Sequence, residues 1–222
     1  MKEKLSNFRQ NHPIVLSIIL FIVYTVLFQV ISSILVLSLQ AMNIQISNFY
    51  LIQLIGEIIG IAISFGIVFL FKYKDIFKSK KGIGKGLLAG GWFIFAALCA
   101  LFSNISVNID APLQSVGNII IFSLCMFSIG FAEELFFRGI ISKCIFEKHG
   151  KSPKGVYISL IVSSVIFGCF HLPNLLTGAS LLGVLIQVIV ASFMGMAFCA
   201  IYYRTKNIWA VAILHGLVDF CA

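Results

Sequence analysis

Charged residues are scarce in this sequence. Only 11% of its 222 residues are Asp, Glu, Lys or Arg, whereas 60% are hydrophobic and the mean hydropathy is +1.06. Soluble globular proteins carry about 25% charged residues, so this chain has too few charges to cover a water-exposed surface. The composition therefore excludes an ordinary soluble enzyme, a disordered protein and a collagen-like fibre.

The sequence also lacks the long polar stretches that would separate soluble domains. Apolar segments follow one another, most of them close to the ~20 residues that a helix needs to cross the hydrocarbon core of a bilayer. None of them alternates polar with apolar residues, as membrane strands do. The sequence thus predicts an all-α, polytopic transmembrane helix bundle of about seven spans. The segments are roughly 14–39, 49–71, 87–102, 116–141, 156–170, 181–203 and 208–221.

The cations are unevenly distributed along the chain. Lys and Arg number 16, against 8 Asp and Glu. In a soluble protein this excess would suggest nucleic acid, but in a membrane protein basic residues are retained on the cytoplasmic side. The loops 40–48, 103–115 and 171–180 have no cation. All the cations lie in or beside the alternate loops, and only Arg138 lies within an apolar segment, which predicts a cytoplasmic N-terminus and no nucleic-acid partner. The cations are Lys2, Lys4, Arg9, Lys72, Lys74, Lys78, Lys80, Lys81, Lys85, Arg138, Lys143, Lys148, Lys151, Lys154, Arg204 and Lys206.

Several common functional motifs are missing. The six cysteines form no CxxC pair and lie mostly in apolar segments, which is typical of small packing residues. The glycine-rich stretch 82–86 lacks the Walker spacing and a preceding strand, so a nucleotide site is rejected. The glycine pairs Gly56/Gly60 and Gly86/Gly90 have the small-xxx-small spacing of ordinary helix packing.

A first cluster of ionisable residues lies near the end of the fourth apolar segment. Such residues are costly inside a membrane and are functional candidates by default. Glu134 and Arg138 are four residues apart with the acid first, the favourable order for a helical ion pair. Glu133 points about 100° away and has no such partner, which suits a general base. The alternative interpretation is a structural ion-pair cluster that braces two helices.

Two histidines follow in later segments. His171 shares a helix face with Phe167, and Pro173 ends that helix; His171 could equally be a structural hydrogen-bonding group. His215 and Asp219 are again four residues apart. Asp219 could hold His215 in one tautomer, both could face a metal or a substrate carbonyl, or the pair could simply pack the terminal helix.

Helix lengths predict that these residues meet at one depth. Glu133 and His171 both lie roughly 20 Å from the turn that joins their segments, and His215 and Asp219 lie roughly 10–17 Å from the basic loop before the last segment. Consecutive segments joined by a short loop pack side by side. Glu57, in the second segment, could line the same cavity or form a hydrogen bond across helices, and the second interpretation is favoured.

Taken together, the motifs resemble those of the CPBP family, which includes the type II CAAX prenyl endopeptidases and the bacterial Abi and bacteriocin-processing or immunity proteins. The order and spacing carry the resemblance: Glu133-Glu134-xxx-Arg138, Phe167-xxx-His171 and His215-xxx-Asp219. It divides one integrated membrane domain into N-terminal spans, 1–115, and a CPBP-like catalytic core, 116–222. The bacterial members imply a bacterial plasma membrane for this multi-pass protein.

The resemblance implies an intramembrane endopeptidase that cleaves a peptide, a protein or a lipidated protein at the bilayer. Glu133 would activate water together with His171, while Glu134 and Arg138 would brace the site. The third motif, with His215 and its partner four residues on, would stabilise the oxyanion.

That partner, Asp219, departs from the asparagine that often ends the third motif. An ionised aspartate cannot donate to an oxyanion. Asp219 would have to be protonated, orient His215 or ligate a metal.

Three alternatives remain open at this stage. Family members have been described as metalloproteases, and Glu133, His171 and His215 could hold zinc with an open position; a metal-free mechanism ranks ahead because HExxH is absent. A non-catalytic scaffold or a bacteriocin immunity protein would use the same polar cluster structurally. A proton-coupled transporter is disfavoured by the lack of repeat symmetry. The sequence does not indicate an oligomeric state.

Overall fold

A computed structural model describes residues 2–44, 46–78 and 82–222, apart from the side chains of residues 2–4 and 74. Lys80 and Lys81, two of the cations used for the topology, lie outside this part. The regular elements within it are helical, which confirms the all-α prediction. The α-helices are α1 Lys2–Asn11, α2 Pro13–Ala41, α3 Phe49–Phe71, α4 Ile83–Ala89, α5 Gly91–Val107, α6 Val116–Phe136, α7 Lys143–His149, α8 Pro153–Cys169, α9 Leu181–Thr205 and α10 Ile208–Cys221.

Helix length and composition confirm a polytopic membrane protein. Within the described residues, five helical stretches are long and apolar enough to cross a bilayer: Pro13–Ala41, Phe49–Phe71, Val116–His149, Pro153–Thr177 and Leu181–Thr205. A sixth span would combine α4 and α5, which meet at a 69° bend. The apolar α10 has 14 residues and is shorter than a complete span. The count of seven spans and the cytoplasmic N-terminus stay predictions.

Side-chain caps set the starts of several helices. At each of five positions, the side-chain oxygen of the residue before the helix accepts a backbone N–H of the first turn, which satisfies a donor that has no partner within the helix. These caps explain why α3, α6 and α9 begin where the apolar segments begin. The capping residues are Asn48, Ser115, Ser152, Ser180 and Asn207.

The close crossing of α6 and α10 positions the site. Gly130 and Gly216 face each other, and a Cβ built on Gly130 would lie 2.5 Å from the backbone nitrogen of Gly216. A Cβ on Gly216 would lie 2.8 Å from the Cα of Phe127. Because only glycine lets two backbones approach this closely, the crossing brings Glu133, three residues after Gly130, next to His215.

Candidate active site

A buried ion pair lies at the end of α6. Glu134 Oε2 is 3.0 Å from Arg138 Nε, and both side chains are at most 1% exposed. Arg138 lies in a π-helical segment, Phe137–Ser142, that continues α6. Its Nη2 donates to the carbonyl of Gly195 in α9 at 3.2 Å, and its guanidinium lies 4.3 Å from the ring centre of Phe167. The ion pair that the sequence spacing predicts is therefore present and joins α6 to α8 and α9.

The same carboxylate also fixes His215. Nδ1 of His215 lies 2.9 Å from Glu134 Oε1, and both groups are buried. An ionised carboxylate can only accept, so Nδ1 donates the hydrogen bond and Nε2 is turned away from Glu134. The sequence suggested Asp219 as one possible orienting partner; in the structure Glu134 makes the hydrogen bond to the ring.

The other ring nitrogen of His215 faces two further carboxylates. Glu133 Oε2 and Asp219 Oδ2 are each 3.7 Å from Nε2. This separation is too long for a direct hydrogen bond. The side chains of Glu133 and Asp219 are 13% and 26% exposed. The cluster thus has a sealed side at Glu134 and a more accessible side at Glu133.

His171 stands at the edge of this cluster. It follows the last turn of α8, and its Nδ1 lies 3.3 Å from the carbonyl oxygen of Gly168. The ring of Phe167 packs edge-to-face against both histidines, with centroids 5.7 Å from His171 and 5.9 Å from His215. The first and third motifs therefore meet directly, and the second joins them through Phe167.

Glu57 of α3 belongs to the same electrostatic neighbourhood. Its carboxylate interacts with the charges of Glu133, Asp219 and His215. The sequence favoured a separate structural role for this residue, although an ionisable group in mid-segment was the signal that could have placed it here. Tyr24 of α2, stacked on Phe136 at 3.8 Å, also lies near Glu57 and Glu133 and had no signal in the sequence.

The candidate zinc ligands do not form a metal site. Among the described residues, no group of three His, Cys, Asp or Glu side chains is arranged to hold a metal ion. Nδ1 of His215 is bonded to Glu134, and Nδ1 of His171 lies against the Gly168 carbonyl, so Nε2 is the nitrogen of each ring that could face a metal. As they are placed in this structure, Glu133, His171 and His215 do not form a zinc site, and the roles assigned to them rest on their own chemistry.

These features define a class: a multi-pass membrane protein with a buried glutamate, arginine and histidine cluster between its helices. Residues 115–221 match the family model described as type II CAAX prenyl endopeptidase Rce1-like. The match covers 107 of the 222 residues and confirms, for this C-terminal part of the chain, the resemblance to CPBP intramembrane proteases. No curated protein and no solved structure matches the chain. The family is generally proteolytic and supports a CAAX-type intramembrane protease kind of function.

Proposed function

We propose that this protein is a glutamate-dependent intramembrane endopeptidase in which Glu133 is the general base. The observation that carries the proposal is the unequal environment of two consecutive glutamates. Glu134 is neutralised by Arg138 and bonded to His215. Glu133 is partly exposed and has only the 3.7 Å approach to Nε2 of His215, so its carboxylate is available to a water molecule.

Water activation would use Glu133 together with His171. The Gly168 carbonyl beside Nδ1 of His171 accepts a hydrogen bond, which places the proton on Nδ1 and the lone pair of the neutral ring on Nε2. A water that donates to this lone pair and to Glu133 is oriented for attack on a scissile carbonyl carbon. Glu133 then takes the water proton and later transfers it to the leaving amine.

His215 would stabilise the tetrahedral intermediate. With Nδ1 held by Glu134, a protonated Nε2 donates toward the oxyanion that forms beside Glu133. The Glu134 carboxylate fixes the ring plane, so the donor does not have to reorganise during the reaction. Glu134 and Arg138 act as positioning residues, since both are sealed from the accessible side.

The substrate class follows from family and environment. We infer a peptide or lipidated protein that reaches the site from the bilayer, either with a prenylated C-terminal cysteine or as a peptide precursor. A bacterial plasma membrane fits the family. Exposed apolar side chains on α2 and α9, such as Ile22, Leu37, Ile189 and Phe193, offer a lipid-facing surface.

A second candidate is a non-catalytic scaffold or immunity protein. The observation that favours it is that the buried cluster connects several helices, because Arg138 bonds to α9 and Glu134 bonds to α10. Such a cluster could hold the bundle together without chemistry. It would not need Glu133, for which the described residues provide no hydrogen-bond partner.

Cleavage by the purified protein separates the two candidates. Wild type in nanodiscs is incubated with a farnesylated C-terminal peptide and with an unlipidated peptide precursor, with and without chelator. Loss of a general base lowers the rate about 10²–10⁴-fold, so we expect Glu133→Gln and His171→Ala to be nearly inactive. The control is Asp110→Asn, on an exposed loop. Full activity of Glu133→Gln, or loss of activity on chelation, would contradict the proposal.

A further inference from the structure

A cavity of about 590 Å³ lies between the first turns of α3 and α6, at the end of α3 opposite to the lysine-rich segment that follows it. Its polar wall is a chain of amides: Asn48 Nδ2 donates to Asn118 Oδ1 at 3.0 Å, and Asn118 Nδ2 donates to Gln114 Oε1 at 3.4 Å. The remaining lining is aromatic, aliphatic and hydroxyl: Ser47, Phe49, Tyr50, Ile119 and Phe122.

The chemistry of this wall matches a peptide backbone. A side-chain amide offers two N–H donors and an oxygen with two lone pairs. The contacts within the chain use one donor of Asn48 and one of Asn118, so each amide keeps capacity for a ligand. Tyr50 and Phe122, edge-to-face at 4.9 Å, form an apolar wall beside the amides. Alternating polar and apolar contacts of this kind suit an extended polypeptide.

The cavity lies on the same face of α6 as the candidate active site. The ring of Phe122 lies 5.4 Å from that of Phe220, the residue after Asp219. Phe122 also precedes Glu133 by 11 residues, about three turns, so both lie on the same face of α6. On the facing helix, Tyr50 and Glu57 are about two turns apart and share a face as well. The line of contact between α3 and α6 therefore runs from the amides in the direction of Glu133.

We propose that this cavity binds the polypeptide part of the substrate, six or seven residues from the bond that is cleaved; the inference rests on the proposed peptidase function. Asn118 lies 15 residues before Glu133, about 22 Å along the helix. An extended chain advances about 3.4 Å per residue, which gives that number of residues. In a CAAX-type substrate only three residues follow the cysteine, so the bound part is the segment before it.

Peptide length and Asn118 together test the proposal. Two fluorescein-labelled peptides end in a farnesylated cysteine and three aliphatic residues, with four or twelve residues before the cysteine. Binding is measured by fluorescence anisotropy to the Glu133→Gln protein in nanodiscs, so that cleavage does not interfere. We expect the longer peptide to bind about tenfold more tightly, the gain from one or two net hydrogen bonds.

Asn118→Ala in the same background should remove this tenfold gain and leave the short peptide unaffected. Asn118 is preferred to Asn48, because the Asn48 side chain also caps α3 and its loss would disturb that helix. The matched control is Asn108→Ala, whose side chain is exposed and bonds to the Asn104 carbonyl outside the cavity.

The outcomes test the peptide-binding cavity and the proposed peptidase function separately. Equal binding of the two peptides, binding of neither, or an Asn118→Ala protein that keeps the full length dependence would overturn the cavity assignment. The proposed function is tested separately by cleavage of the twelve-residue peptide with the wild-type protein. Length-dependent binding that Asn118→Ala abolishes, without cleavage, would remove the peptidase and leave the peptide-binding cavity.

Discussion

Nδ1 of His215 donates a 2.9 Å hydrogen bond to Glu134 Oε1 across 81 residues of sequence. The bond joins the first motif to the third and leaves the neighbouring Glu133 to face the opposite ring nitrogen. Two consecutive glutamates thereby acquire different tasks, since one is buried in an ion pair with Arg138 and the other remains accessible. This difference predicts that equal substitutions at the two positions will have unequal effects.

Glu134→Gln should reduce stability, whereas Glu133→Gln should mainly reduce activity. Removing the charge of Glu134 leaves the buried guanidinium of Arg138 uncompensated, and breaking a buried pair in this way costs about 3–5 kcal/mol. Glu133 is partly exposed and unpaired with Arg138, so its neutralisation should change unfolding by less than about 1 kcal/mol. Thermal unfolding of both variants in the same detergent gives the comparison. Equal losses of stability would contradict the assigned roles.

Gly216→Ala should disturb the site through the helix crossing. The added Cβ would lie 2.8 Å from the Cα of Phe127, so α6 and α10 would have to separate and Glu133 would move from His215. We expect a loss of about 1–3 kcal/mol from overpacking together with reduced cleavage. Gly66→Ala on α3 is the matched control, because a Cβ there meets nothing within 4 Å.

The two glycine substitutions should change the free energy of unfolding in opposite directions. Gly66→Ala is expected to be neutral or stabilising by about 0.5–1 kcal/mol, since alanine is the better helix former. Unfolding curves and cleavage rates are recorded for both proteins. A Gly216→Ala protein as stable and as active as Gly66→Ala would show that the crossing does not position the site.

Apolar segment boundaries predicted most of the fold. The second segment, 49–71, coincides with α3, and the last, 208–221, coincides with α10. The third segment was predicted as one stretch from 87 to 102, but it begins at Ile83 and bends at Gly90. Hydropathy reports burial in lipid and does not report where a helix axis turns, so this bend could not be foreseen.

Spacing along single helices predicted the local pairs at the site, and contacts between helices were harder to foresee. The Glu134–Arg138 ion pair follows from an interval of four residues. The Glu134–His215 bond does not, because it depends on how α10 is rotated against α6 at the glycine crossing. The sequence did not decide between the two interpretations of Glu57 for the same reason, since its proximity to Glu133 depends on the packing of α3 against α6.

A salt bridge outside the membrane spans predicts that the protein loses a little stability at acid pH. Asp75 Oδ2 lies 2.7 Å from Lys143 Nζ. Partial burial alone would raise the pKa of Asp75, but the hydrogen bond and charge of Lys143 outweigh it and hold the pKa below its usual value. A depressed acid pKa adds stability above the unfolded value, near pH 4, and loses it as the pH falls through the folded value.

Asp75→Asn should therefore lower the melting temperature at pH 7 and have less effect at pH 3. The carboxyl is largely exposed, and such pairs contribute about 1 kcal/mol or less. Differential scanning fluorimetry of both proteins across this range measures the change. A constant difference between Asp75→Asn and wild type at every pH would contradict the assigned linkage.

Asp219→Asn tests whether the aspartate of the third motif is needed as a charge. Glu134 holds His215 in place, so the amide variant should keep the ring oriented. Asparagine can donate to an oxyanion where an ionised aspartate cannot, and we expect cleavage at or above the wild-type rate. Asp219→Leu supplies no donor and should cleave more slowly than Asp219→Asn, by up to about 10²–10³-fold in kcat, which is the contribution of one oxyanion donor. Steady-state kinetics of the two variants measure these differences. A large loss of kcat in Asp219→Asn would show that catalysis needs the negative charge of Asp219.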